Sequence, residues 1–109
     1  MNEPKMKELE DALKERETGH YVLRLYVAGL SRLSLRAIEN LKKICEENLQ
    51  GRYELEVIDI YQQPVLAKGE QIIATPTLIK QLPPPLRRFI GDLSQTEKIL
   101  VGLDLRPKK

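Results

Sequence analysis

Two strand-like segments separated by one helix-length stretch narrow the folding choices of this chain more than anything else in it. Tyr21-Val22-Leu23-Arg24-Leu25-Tyr26-Val27 is rich in β-branched and aromatic residues, and Leu23, Leu25 and Val27 fall on one face. Tyr53-Glu54-Leu55-Glu56-Val57-Ile58-Asp59-Ile60 alternates at first and turns apolar near its end. Between them Ala37, Ile38, Leu41, Ile44 and Cys45 recur at helical spacing, with Arg36, Glu39, Lys42, Lys43 and Glu46 outside the stripe. Ser31 or Ser34 can cap that helix, because a serine hydroxyl accepts from first-turn amides. Gly51 stops it, since glycine takes up positive φ without steric cost. Strand, helix, strand in this order is a βαβ unit, which implies parallel pairing through a right-handed crossover.

The second half is less regular. Pro64 to Glu70 reads as a short helix or loop, and Ile72 to Ile79 is apolar but interrupted by Pro76. Pro83-Pro84-Pro85 is a rigid corner that neither a helix nor a central strand accommodates. Arg87-Arg88-Phe89-Ile90 reads as a weak strand, and Ser94-Gln95-Thr96-Glu97 is a capping-box pattern opening a helix through Ile99, Leu100 and Leu103. The predicted order is β-α-β-(α)-β-β-α, the order of a single-domain, thioredoxin-like α/β fold. The domain is expected over residues 20–105. Residues 1–19 are expected to form an N-terminal extension, with Met6, Leu9 and Leu13 as a thin helical stripe ended by Gly19, and residues 106–109 a basic tail.

Composition excludes several classes. The 109 residues suit one domain with a modest core. No apolar run reaches the roughly 18 residues of a membrane helix, and the first seven residues lead into no apolar signal core. A cytoplasmic protein away from membranes is expected. Net charge is +2, split into six acids and four bases in the first twenty residues and a small basic surplus beyond. So small a surplus argues against a dedicated nucleic-acid binder. One cysteine, Cys45, and one histidine, His20, rule out an internal disulfide and a cysteine-rich metal site.

Residue chemistry points away from catalysis. In thioredoxin-like enzymes a thiolate stands where the first strand hands over to the first helix. Here that stretch is Gly29-Leu30-Ser31-Arg32-Leu33-Ser34, without cysteine. Cys45 lies on the apolar stripe, where a buried structural thiol is expected. Ser31 or Ser34 could activate glutathione, but capping is the commoner use of serine there. Asp59 has no partner carboxylate for acid/base work. Thr75-Pro76-Thr77 stands where thioredoxin-like folds carry a cis proline, against the ordinary trans turn. Lys80, Arg87 and Arg88 could form a basic patch or be solvated surface charge. No phosphate loop, dinucleotide loop or metal motif is present, so no cofactor is expected.

Several motifs in one order resemble the KaiB family. They are Tyr21-Val22-Leu23-Arg24-Leu25-Tyr26-Val27-Ala28-Gly29, Val57-Ile58-Asp59, Ala74-Thr75-Pro76-Thr77-Leu78, Leu82-Pro83-Pro84-Pro85-Leu86-Arg87-Arg88, Phe89-Ile90-Gly91-Asp92-Leu93-Ser94 and Val101-Gly102-Leu103-Asp104-Leu105. The resemblance runs from Tyr21 to Leu105. It implies a non-catalytic adaptor that binds a KaiC-type ATPase in circadian timing or a related stress-adaptation pathway. It also implies two folds for residues 60–105: the thioredoxin order, and an oligomeric β-α-β-β-α-α-β order in a resting homodimer or homotetramer. Local conflict fits this: Ile99 to Leu103 suits helix or strand, and two packings of one sequence can differ by only a few kcal/mol.

Residue by residue, the resemblance implies fold-switch roles for Pro76, Gly102 and Asp104, together with Pro83 to Pro85. It implies an oligomer contact at Tyr21 and partner binding at Lys80 and Arg87, beside Arg88. The chain departs from the family in its basic Arg106-Pro107-Lys108-Lys109 end, in Gln71 where lysine is common, and in Glu56 where a basic residue is usual. These departures weigh against KaiA as a partner more than against KaiC. The competing expectation is a thiol-free, thioredoxin-like enzyme of the glutathione-transferase kind, using Ser31 and Pro76. A sensor domain like that of SasA is a third, although this chain has no room for a kinase.

Overall fold

The computed structural model describes residues 20–105. Strand β1 (Tyr21–Val27) leads into helix α1 (Arg32–Asn48), strand β2 (Tyr53–Asp59) and helix α2 (Pro64–Gly69). Strands β3 (Thr77–Leu82) and β4 (Arg87–Ile90) and helix α3 (Thr96–Gly102) follow. The sheet order is β2-β1-β3-β4. β1 pairs parallel with β2, from Tyr21↔Tyr53 to Val27↔Asp59, as a βαβ crossover requires. β3 runs antiparallel to both β1 and β4. This is the thioredoxin order expected from the sequence. The expectations for residues 1–19 and 106–109 lie outside the described residues.

Strand alternation splits the apolar residues into two cores. On one face Tyr21, Leu23, Leu25 and Leu78 pack with Ala37, Leu41, Ile44 and Cys45 of α1 and Ile99 and Leu100 of α3. On the other face only Tyr26, Ile58 and Ile79 are buried, with Ala67 of α2 against them. A fully buried aliphatic or aromatic side chain contributes about 1.5–3 kcal/mol. The α1/α3 face, with fourteen buried members against three, therefore carries most of the stability. Helix α2 has no buried residue along its six positions and caps its face thinly. Among the described residues no helix is long and apolar enough to cross a membrane.

Two local readings are resolved and one is overturned. Ser31, not Ser34, is the N-cap of α1, its hydroxyl accepting from the Ser34 amide at 3.2 Å. The apolar run from Ile72 becomes strand only at Thr77, after Pro76. The capping box at Ser94 does not form: α3 begins at Thr96 with Gln95 as its N-cap and no side-chain cap bond. The reason is upstream. Leu93 has φ of 62°, and the Asp92 carboxylate accepts from the Ser94 amide at 3.1 Å, so Ser94 belongs to the preceding turn.

Candidate functional site

Two regions collect the residues singled out by the sequence. The first lies where β1 hands over to α1. Gly29 takes φ of 60°, and its N–H donates to Asp59 Oδ1 at 3.2 Å. The Tyr61 N–H donates to the same oxygen at 2.9 Å. Asp59 thus ties the loops after β1 and β2 together. Ser31 donates its hydroxyl to Ser34 Oγ at 2.8 Å, and Ser34 Oγ also accepts from the Ala28 N–H at 3.3 Å. Both hydroxyls are engaged in shaping this turn. Pro76 is buried, and the Thr75–Pro76 bond is cis, as the thioredoxin placement led us to expect. The Leu82–Pro83 and Pro84–Pro85 bonds are also cis.

No thiol stands at this turn. Cys45 is buried on the inner face of α1. Burial first, and the Glu46 charge second, push its thiol up to about 12. A neutral, enclosed thiol is a poor nucleophile, because the thiolate is the reacting form.

The second region is the seat of the chain's last helix. Tyr21, fully buried, donates its hydroxyl to the Leu103 carbonyl at 2.7 Å. Lys80, also fully buried, places Nζ 3.2 Å from Asp104 Oδ2. Gly102 lies so close to Phe89 that a Cβ built there would meet ring atoms at 2.2 and 2.5 Å. Asp104 takes φ of 61° as the chain turns out of α3. The structure therefore gathers Tyr21, Lys80, Gly102 and Asp104, expected in three separate roles, at one seat where α3 meets the sheet.

This corrects the expectation of a basic patch at Lys80 for the form described. Lys80 is no part of an exposed basic patch: it shares the inward phase of β3 with Leu78, so its charge points into the core. Leu78 and Ile79 are apolar and buried on opposite faces of β3, so the strand's own pattern does not say where Lys80 points. Tyr21 is likewise enclosed, and in this form it contacts the C-terminal turn of its own chain. Arg87 and Arg88 are exposed on the edge strand β4, Arg88 lying 3.9 Å from Glu70. Phe89 and Leu103 complete the seat. Neither was singled out by sequence reasoning, because a ring packed on a glycine and a carbonyl acceptor leave no pattern in composition.

Comparison with known proteins places the fold and the motifs together. A family model described as the KaiB domain matches residues 24–105. The chain belongs to the KaiB family. The circadian clock protein KaiB3 of Synechocystis sp. is 56% identical over 87 residues, covering 80% of this chain and 85% of the relative. The circadian clock oscillator protein KaiB of Microcystis aeruginosa is 59% identical over 85 residues, covering 78% and 82%. Among solved structures, the N-terminal domain of SasA from Synechococcus elongatus superposes with a TM-score of 0.61 at 25% identity, covering 75% of this chain and 84% of that one. Chloroplastic thioredoxin z superposes with a TM-score of 0.64 at 23% identity over 90% of this chain and 88% of its own, which shows a shared fold. The matched KaiB region contains the turn at Ser31 and most of the α3 seat; Tyr21 lies three residues ahead of it.

Proposed function

We propose that this chain is a non-catalytic, fold-switching adaptor that binds a KaiC-type ATPase and modulates it in circadian timing or a related stress-adaptation pathway. The observation that carries this reading is the 56–59% identity, over most of the domain, to relatives named circadian clock proteins. The hydroxyls of Ser31 and Ser34 in place of thiols support the non-catalytic part, since each is already engaged locally. The α3 seat supports the fold-switching part. Beside the core packing of Ile99 and Leu100, one hydrogen bond, one ion pair and a glycine contact hold the last helix, and a partner that binds one form better shifts the population towards it. In this reading Pro76, Gly102 and Asp104 belong to the switching segment. Arg87 and Arg88 face the partner, and Lys80 acts by holding the binding-competent form. Tyr21 is freed from Leu103 to make oligomer contacts in a resting cytoplasmic homodimer or homotetramer.

KaiA fits less well. Glu56, where the family usually carries a basic residue, is paired with Arg24 at 3.1 Å on the outer strand. The test is size-exclusion chromatography of the protein alone and after long incubation with a KaiC-type ATPase of the same genome and ATP. Slow transfer into the ATPase peak is the expected result. Absence of co-elution at high concentration overturns the adaptor reading.

A further inference from the structure

The outer edge of β4 is open. The strand ends the sheet order and pairs on one side only, with β3. The Gly91 N–H donates to the Pro76 carbonyl at 3.0 Å, which sets the phase of that ladder. Antiparallel ladders turn alternate residues towards the partner strand. Arg87 and Phe89 therefore turn their N–H and C=O towards β3, and Arg88 and Ile90 turn theirs outward. Side chains alternate as well. Arg88 and Ile90 stand opposite Ile79 and Thr77 on the α2 face, whereas Phe89 stands opposite Leu78 on the α3 face, with Arg87 in the same phase. Ile90 is 63% exposed, and both arginines are exposed. Among the described residues Arg87 makes no ion pair, and Arg88 has only its 3.9 Å approach to Glu70. At the far end of the strand a groove is lined by Phe89, Ile90, Leu93 and Ile99, with Lys98 beside them.

Charge on an edge strand keeps it from pairing indiscriminately. Here it also selects what can pair. Two copies joined β4 to β4 would bring the arginine pairs of both together. The opposite edge of the sheet, β2, fits no better: Glu54 and Glu56 share one face and are already engaged by His20 and Arg24. Adjacent arginines on opposite faces call for adjacent acids.

We propose that the outer edge of β4 docks an extended segment of another protein as a further, antiparallel strand. The segment reads apolar, apolar, acidic, acidic from its N-terminal end, standing opposite Ile90, Phe89, Arg88 and Arg87 in turn. Its backbone pairs with the outward N–H and C=O groups of Arg88 and Ile90. Its carboxylates meet the two guanidinium groups, and its apolar side chains lie on Ile90 and beside the groove. Such a site adds to the adaptor reading and does not depend on it.

The test uses the full chain, isotope-labelled, and the blocked peptide Thr-Val-Ile-Glu-Glu-Thr. In the chain alone the Arg88 and Ile90 amides should exchange with solvent faster than the Phe89 amide; equal protection overturns the open edge. Peptide should slow exchange at Arg88 and Ile90 and shift resonances along β4. No shift at millimolar peptide, or shifts centred on β2, overturns the proposal. Line broadening at Arg88 and Ile90 that grows with chain concentration in the absence of peptide means a second copy is the occupant, and also overturns it. A chain with Arg87→Glu and Arg88→Glu should reject this peptide and take the one in which Lys-Lys replaces Glu-Glu. Equal binding of both peptides by both chains would show that the arginines select nothing. Ile90→Pro removes one outward donor and no ladder bond, and should weaken the peptide about tenfold relative to Ile90→Val. Equal affinity of these variants, each checked for unchanged β1 and β2 resonances, sinks the strand pairing.

Discussion

Lys80 Nζ lies 3.2 Å from Asp104 Oδ2, with the lysine side chain wholly enclosed and about a third of the aspartate side chain open to solvent. The asymmetry decides which partner is the more costly to remove. Without Asp104 the ammonium stays inside the protein with no counter-charge. Without Lys80 the carboxylate still reaches water. Asp104→Ala is therefore expected to destabilise this form by about 1–3 kcal/mol, less than the loss of a fully buried pair because of the solvent at Asp104. Lys80→Met is expected to cost less, and the double variant to recover much of the Asp104→Ala loss. Urea unfolding of the four proteins checks the cycle. A double variant no more stable than Asp104→Ala sinks the ion-pair account.

The Tyr21 hydroxyl and the Leu103 carbonyl are 82 residues apart in sequence and 2.7 Å apart in space. Tyr21→Phe keeps the ring and leaves a buried carbonyl without that donor. The expected loss is about 1–1.5 kcal/mol, which lowers Tm by several degrees in a domain of this size. Amide exchange at Leu103 and Leu105 should quicken while β1 and β2 stay protected. Uniform acceleration across the sheet would contradict a local latch.

Tyr26 presents the opposite case. Its hydroxyl is buried on the α2 face and has no hydrogen-bond partner among the described residues. An unsatisfied buried polar group costs stability. Tyr26→Phe is expected to be neutral or stabilising by up to about 1 kcal/mol in thermal unfolding. A clear loss of stability would show that the hydroxyl has a partner and refute this assignment.

Cys45 sets an alkaline limit. Its folded pKa of about 12 lies above the ordinary thiol value of 9.0, so the folded state holds the proton more tightly. The stability contributed by this group is complete below about 9 and is lost as pH rises towards about 12. Ellman's reagent at pH 8 should not react with the native protein and should titrate one thiol after denaturation. Rapid labelling of the native protein would contradict the burial.

The turn at Ser31 tests what separates this domain from the redox proteins it superposes on. The two hydroxyls are 2.8 Å apart at the start of a seventeen-residue helix. Ser31→Cys with Ser34→Cys restores the C-x-x-C spacing at a helix N-terminus, where thiolates are stabilised. The double variant is expected to form a reversible disulfide and to acquire measurable insulin reduction, against none in the natural sequence. A variant that keeps two free thiols under oxidising conditions would show that the turn geometry, and not only the residue type, has departed from the enzymes.

The βαβ half was legible because each element has its own period: alternation in Tyr21–Val27, a helical stripe from Ala37 to Cys45, and alternation again from Tyr53. The start of β3 was harder, because Ile72 to Ile79 has no clean period and Pro76 delays the strand to Thr77. The capping box at Ser94 misled because the Asp92 carboxylate competes for the same amide. A local motif loses when a neighbouring turn offers the donor a better-placed acceptor.

By itself the sequence determined the element order, the absence of thiol chemistry at the first turn and the burial of Cys45, since all three follow from residue type and local spacing. Only the tertiary structure decided that Lys80 points inward, that Tyr21 reaches Leu103 and that Gly102 packs on Phe89. These are contacts between distant parts of the chain. A charge, a hydroxyl and a glycine carry no periodic signal of their own, so their roles appear only when β1, β3, β4 and α3 meet.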